Sequence, residues 1–338
     1  MGIFNGGVDV FEIQNLNIKP GGYESGDTIT GKVLLVLRKE IRCNEFFVSI
    51  LGEIRTEWTQ YKGGAHYEDH YQSGSVIMNE HKELKSERVL SAGEHTETFS
   101  FRLPEQCPPS FASSYGSITY VLQAKIDRPM AADNDVTLPI MVKGTVDLNK
   151  LDSRLAISQP VFNSADVEIP RCCCFKSEFI SSHIKIQKKG YAFGELIKMD
   201  ITVDNGTSKP IDKILINLLE HAVFTAELCS SFFSSNNEKI RRTVSRPVIT
   251  ADTEANIAPH SQKTVHVAIR VTESISPMVC STLIQTKHQI SISVQQGWSQ
   301  DEVIVALPVL IGTIPVVAKE NIESETAPIS SGQSSSKN

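Results

Sequence analysis

Almost every patterned stretch of this chain alternates apolar and polar residues with a period of two, as strands do when one face lies in a core and the other in water. GKVLLVLRK, EFFVSILGEIRTEW, HTETFSFRLP and SITYVLQAKID show it in the first half, and SHIKIQKKG, KTVHVAIRV and HQISISVQ in the second. Clusters of Gly, Pro, Asn and Ser separate these runs, and no uninterrupted segment carries an apolar stripe at helical spacing with a cap at each end. Many short strands with regular turn signals predict sandwiches, in which two facing sheets bury alternate residues against each other. The expected fold class is all-β.

The pattern is also written twice. YESGDTITGKVLL begins at Tyr23 and YAFGELIKMDITV at Tyr191, an offset of 168 positions. The same offset lays Phe46, Val48 and Ile50 on Ile214, Ile216 and Leu218, and Pro109 on Pro277. It lays Tyr120, Leu122, Ala124 and Ile126 on His288, Ile290, Ile292 and Val294. A slip of one residue would turn each buried face outward, so parity held over such a span predicts two homologous sandwiches in tandem. They are expected to join between Val146 and Ser182: 1–150 as first domain, 151–180 as linker and first strand, 181–318 as second domain and 319–338 as a disordered tail. In each repeated turn the Gly supplies free backbone angles and the following acid caps N–H groups, while the Tyr is expected to bury its ring and keep its hydroxyl in water.

Composition narrows the function. A chain of 338 residues, 40% hydrophobic and 21% charged, suits two soluble domains. Net charge of −6 and a pI near 5.9 argue against a nucleic-acid binder, which needs a basic stripe. The start lacks the basic and apolar regions of a secretory signal, and Gly6 stands where N-myristoylation wants Ser or Thr, so a cytoplasmic protein is expected. Seven cysteines, three of them consecutive, suggest reduced thiols rather than a disulfide framework. Asn205-Gly206-Thr207 then reads as a turn with positive φ between strands rather than a glycan site. VIVALPVLIGTIPVV, from Val303 to Val317, is too short to span a membrane and is broken by Pro308 and Pro315, which suggests strand, turn, strand.

The run from Tyr23 to Val33, together with FSFRLPEQCPPSFASSYGSITYVLQAKIDRP from Phe99 to Pro129, resembles the amino-terminal domain of the arrestins, and most of all that of the arrestin-domain-containing proteins, or α-arrestins. GYAFGE with PIDKILINL is similar to the carboxy-terminal arrestin domain, and the resemblance runs from about Val8 to Val317. It implies two arrestin-type sandwiches acting as a non-catalytic adaptor on the cytoplasmic tails of membrane receptors or transporters at plasma membrane and endosomes, promoting endocytosis and sorting. An alternative within the same fold is a structural subunit of a retromer-like coat. Relatives in this family also recruit HECT-type ubiquitin ligases through Pro-Pro-x-Tyr motifs, which dock on WW domains as polyproline helices. Here the tail after Lys319 has no Tyr and only Pro328, so that handle is missing. Pro108-Pro109-Ser110-Phe111, the nearest match, has Phe for Tyr and reads as a rigid corner before a strand opening at Ile118.

Candidate chemistry is sparse. Cys172, Cys173 and Cys174 have no Cys-x-x-Cys partner for zinc and could instead be S-acylated, with Arg171 and Lys176 suited to an acidic lipid surface; the plainer reading is a structural strand with small side chains. Lys185, Lys188 and Lys189, like Arg38, Lys39 and Arg42, are candidates for lipid head-group contact or simple solubility. HYEDHY, His66 to Tyr71, lacks the Glu that a metalloprotease helix places after its first His and reads as a solvated hairpin loop. No nucleophile elbow or phosphate loop is present, so neither an enzyme nor a cofactor is expected. Ser324, Thr326 and the run Ser334 to Ser336 are candidate phosphorylation sites in the tail.

Overall fold

TITGKVLLVL and LIKMDITVDN, 168 positions apart, form strands with the same alternation of buried and exposed residues position by position. The computed structural model that shows this describes residues 6–61, 68–129, 131–151, 157–169, 177–229, 239–296 and 302–316. In the first half the strands are β1 (Val8–Gln14), β2 (Thr28–Leu37), β3 (Ile41–Arg42), β4 (Glu45–Tyr61), β5 (Glu68–Lys85), β6 (Val89–Leu90), β7 (Gly93–Arg102), β8 (Phe111–Ser113), β9 (Gly116–Asp127) and β10 (Asn134–Ile140). In the second they are β11 (Val161–Ile169), β12 (Glu178–Ile186), β13 (Gly190–Ala192), β14 (Leu196–Asn205), β15 (Ile211–Leu228), β16 (Lys239–Ile257), β17 (Ser261–Arg270), β18 (Ile284–Gln295) and β19 (Glu302–Gly312). Moved by 168, β7 falls on β17 and β9 on β18 with both ends matching, and β4 falls on β15.

Each half folds as a sandwich. In the first, sheet β1-β2-β7 faces β10-β9-β4-β5; in the second, β11-β12-β14-β17 faces β13, β19, β18, β15 and β16. Two cores result. Ile29, Val33, Phe46, Val48, Ile50 and Leu122 belong to the first, and their counterparts Ile197, Ile201, Ile214, Ile216, Leu218 and Ile290 to the second. Burying a side chain of this size contributes about 1.5–3 kcal/mol, which is why the alternation persists through both halves.

The halves are not separate shells. β5 pairs with β15 through Gln72↔Glu227 and Tyr71↔Leu228, so one ten-stranded sheet runs through both sandwiches. The chain enters the second sandwich at β11, and Ile169 pairs with Glu178 of β12. Cys172, Cys173 and Cys174 thus lie in sequence between two paired strands of that sandwich, outside the described residues.

Several expectations need correction. Val303 to Gly312 is one strand, not strand, turn, strand: Leu310 turns its N–H toward Lys189 O, so Pro308, of the same parity, has its nitrogen on the edge away from β18 and costs the ladder nothing. Asn205 and Thr207 are buried, with Asn205 Oδ1 accepting from Thr207 N at 3.1 Å and Nδ2 donating to Lys209 O at 2.8 Å. That side-chain turn replaces the positive φ expected of Asn-Gly, and neither residue adopts it. HYEDHY is no solvated loop from Glu68 onward: 68–71 open β5, and Asp69 and Tyr71 are buried, Tyr71 stacking on Trp58 at 5.7 Å. Its first two residues, His66 and Tyr67, lie outside the described residues, as does the tail from 317.

Candidate functional site at the seam between the sandwiches

The repeated turn is built identically in both halves. Gly26 and Gly194 have φ of +81° and +86°, angles at which a side chain is strained. Asp27 accepts from Glu24 N at 2.8 Å, and Glu195 from Ala192 N at 2.7 Å; a lysine then closes each turn, Lys19 on Asp27 at 2.6 Å and Lys188 on Glu195 at 2.7 Å. The Glu24 N–H and Lys19 hold Asp27 below the usual carboxylate range. Both tyrosines are buried to the hydroxyl, contrary to the expected wet tip. Tyr23 OH donates to Asn17 Oδ1 at 3.3 Å and Tyr191 OH accepts from Lys188 N at 3.4 Å, and burial pushes both phenols up.

Two other loops are matched across the repeat. Glu57 N–H donates to Tyr115 O at 3.0 Å, and its repeat equivalent Thr225 N–H to Leu283 O at 2.8 Å. Pro109 and Pro277 face each other across Gly144, where even a Cβ would lie 3.1 and 2.7 Å from their rings. With Met141, Phe193, Ile275 and Ile314 they line an interdomain cavity of about 860 Å³. The Pro108-Pro109 corner leads into a strand sooner than expected: Phe111–Ser113 already pairs with β9, and Pro108 O accepts from Tyr120 OH at 2.6 Å.

Symmetry fails where the halves interlock. Phe224, on β15, is fully buried in the first core, its ring 6.3 Å from that of Phe111 and 5.9 Å from that of Tyr115. Its repeat counterpart is Thr56, also fully buried, whose hydroxyl donates to Thr225 O at 2.8 Å. Arg242 covers the joint, 4.1 Å from the Tyr115 ring centre and donating to its hydroxyl at 3.2 Å. Beside it Glu220 is buried, Oε1 accepting from Arg246 Nε at 2.8 Å and Oε2 lying 3.8 Å from buried His288. Burial drives Glu220 upward, but attraction to His288 and Arg246 outweighs it, leaving the carboxylate below its ordinary range.

Two long hairpins leave this seam at one end. In sequence β4 and β5 are joined through 62–67 and β15 and β16 through 230–238, and the β5–β15 pairing ties the two hairpins together at the strand ends next to those segments, with Cys229 N–H donating to His70 O at 2.8 Å. Sequence reasoning misses this junction because β5 and β16 are mixed in pattern. Of the three lysines picked from sequence, Lys188 is committed to Glu195 and lies 5.2 Å from the Tyr191 ring centre. Lys185 is exposed on β12 beside His183, Asp200 and His266, and Lys189 holds the β13 turn through its backbone. Among the described residues no three His, Cys, Asp or Glu side chains cluster as metal ligands, and no helix is long and apolar enough to cross a membrane.

Comparison with known proteins agrees with this geometry. The family model "Arrestin (or S-antigen), N-terminal domain" matches residues 13–149 and the corresponding C-terminal domain model matches 176–316. The chain is 26% identical to arrestin domain-containing protein 17 of Caenorhabditis elegans over 97% of its length and 76% of that protein's. It is 26% identical to arrestin domain-containing protein 5 of Bos taurus over 88% of its length and 90% of that protein's. Against arrestin domain-containing protein 4 of Homo sapiens the figure is again 26%, over 88% and 69% of the two lengths. With its repeated sandwiches, shared sheet and both domain matches, the chain belongs to the arrestin family, as an α-arrestin of the arrestin-domain-containing group.

Proposed function

We propose that this α-arrestin is a non-catalytic adaptor that docks on cytoplasmic parts of membrane receptors or transporters and promotes their endocytosis and endosomal sorting. The single observation that carries the reading is the hairpin pair: two strands from each sandwich, joined by the β5–β15 pairing at Tyr71–Gln72 and Glu227–Leu228, where the last described residues before 230–238 meet the first after 62–67. A scaffold that fixes where neighbouring strands end is what a binding surface needs, because connecting segments positioned by rigid elements commonly carry binding residues. Such an adaptor would also bring in HECT-type ubiquitin ligases, although residues 1–338 contain no Pro-Pro-x-Tyr motif. Acylation of Cys172, Cys173 and Cys174 and head-group contact by Lys185 and Lys189 would add membrane affinity to that of cargo, since one weak anchor alone binds reversibly.

Proximity labelling in cells tests this. Replacing 62–67 and 230–238 by Gly-Ser linkers is expected to remove membrane receptors and transporters from the labelled set while leaving the fold intact by circular dichroism. An unchanged set of membrane proteins, or coat subunits recovered in equal amount with the chain, would refute the adaptor reading, the second in favour of a retromer-like coat subunit.

A further inference from the structure

The repeat exposes an edge that is filled in one half and open in the other. Glu57 and Thr225 are equivalent by the 168 offset, and across their ladders they face Gln72 of β5 and Arg241 of β16. The outer edge of β5 at His70 to Gln72 is occupied by β15 in antiparallel register. On β16, β15 is the sole paired neighbour among the described residues, so the matching edge has no strand on it.

Strand alternation identifies the free groups. Thr225 and Glu227 turn their N–H groups toward Leu283 and Ser73, away from β16. The intervening Phe224 and Ala226 therefore bond β16, through Arg242 and Ile240. Lys239, Arg241, Thr243 and Ser245 must then direct N–H and C=O outward, and all are exposed. Pro247, next in that parity, has no N–H and ends the donor row. The β19 edge, by contrast, is blunted: Pro308 removes a donor and Asn163 Nδ2 donates to Ala306 O at 2.8 Å.

We infer that the outer edge of β16 from Lys239 to Ser245 accepts an extended acidic peptide segment of a partner protein as an added antiparallel strand. The repeat supplies the geometry, because β15 already makes this addition on β5. Charge supplies the choice of occupant: this strand carries Lys239, Arg241, Arg242 and Arg246, of which Lys239 meets Glu227 at 3.7 Å and Arg246 meets Glu220. A second copy of the same edge would set cations against cations, which is destabilising across a ladder. An alternating acidic strand would set carboxylates beside them, with backbone bonds giving affinity and side chains giving selection. The inference rests on the adaptor reading only for the origin of the partner.

The probe is a short labelled synthetic peptide in which glutamates alternate with valines, titrated with the full chain by fluorescence anisotropy. Its glutamine counterpart serves as control. Binding is expected to favour the acidic peptide, to weaken with added salt, and to slow hydrogen exchange at Arg241 and Thr243. Thr243→Pro removes an outward N–H without touching the ladder to β15, and Arg241→Glu reverses a charge while leaving the backbone alone. Each is expected to weaken binding at least about tenfold, the effect of roughly 1.4 kcal/mol, with the unfolding midpoint of Arg241→Glu unchanged. Equal affinity for both peptides, undiminished binding by Arg241→Glu, protection mapping to another strand, or dimerisation through β16 would overturn the inference. Membrane partners retained by Arg241→Glu in cells while peptide binding is lost would still confirm the edge, and the adaptor reading stands or falls on the hairpin replacements alone.

Discussion

Phe224→Ala is the perturbation that separates a shared core from two independent ones. Phe224 belongs by sequence to the second domain, yet it is fully buried among first-core residues with two aromatic partners. Truncating a buried phenylalanine costs about 3–5 kcal/mol in transfer and cavity terms. Each ring pair adds about 0.5–1.5 kcal/mol beyond area, so the upper half of that range is expected. The assay is urea unfolding followed by Trp58, which is buried in the first core and stacked on Tyr71. Changing Trp298 to Phe leaves Trp58 as the reporter. The Trp58 transition should lose about 4–5 kcal/mol from a substitution in the other half of the chain. A shift under about 1 kcal/mol, the size of an ordinary point substitution, with loosening confined to the second sandwich by hydrogen exchange, would show that the seam is a mere contact.

Glu220 and the repeated glycines give two more tests. Glu220 has a depressed native value, so its stabilisation is fully present above the unfolded-state glutamate value and disappears as pH falls through the native one. Glu220→Gln should therefore lower stability at neutral pH and flatten the acid limb of the stability profile measured by urea midpoints; an acid limb as steep as the native one would refute the assignment. At Gly194 a Cβ meets nothing within 4 Å, so Gly194→Ala isolates the left-handed strain and should cost about 1–2 kcal/mol. Gly26→Ala adds a Cβ 2.7 Å from the flexible Glu105 carboxylate, and denaturant midpoints should place it at or slightly beyond the same cost.

The tandem architecture was legible because burial imposes a period of two and the repeat imposes it twice. Val48 and Ile216 occupy the same place in the two halves for that reason, as do Leu122 and Ile290. β5 and β16 escaped because they do not alternate cleanly. β16 changes from basic to acidic along its length, is interrupted by Pro247 and carries a bulge opposite Leu218 and Leu219, so its apolar face, Ile240 and Val244 on the first core and Ala255 and Ile257 in the second, is split and hard to read as one strand. The same residues that blur a strand in one dimension form the exposed edge in three.

The seam itself was hidden in positions where the two copies disagree, and the disagreements compensate in pairs. In the first half Gly52 lies opposite Tyr120, and a Cβ on Gly52 would sit 2.8 Å from that ring. Their counterparts in the second half are Glu220 and His288, opposite each other on β15 and β18. A smaller ring there leaves room for a carboxylate, whose Oε1 accepts from Arg246 on the edge strand while Oε2 lies 3.8 Å from His288. Thr56 and Phe224 divide similarly: one gives up bulk and bonds the other half's backbone, and the other fills the space between Phe111 and Tyr115. Two identical halves packed by a twofold could not seat a single phenylalanine or a single buried glutamate on their shared boundary. Departure from the repeat at these positions is therefore the physical reason the two sandwiches hold one fixed orientation, and with it one fixed spacing of the hairpins that 62–67 and 230–238 close.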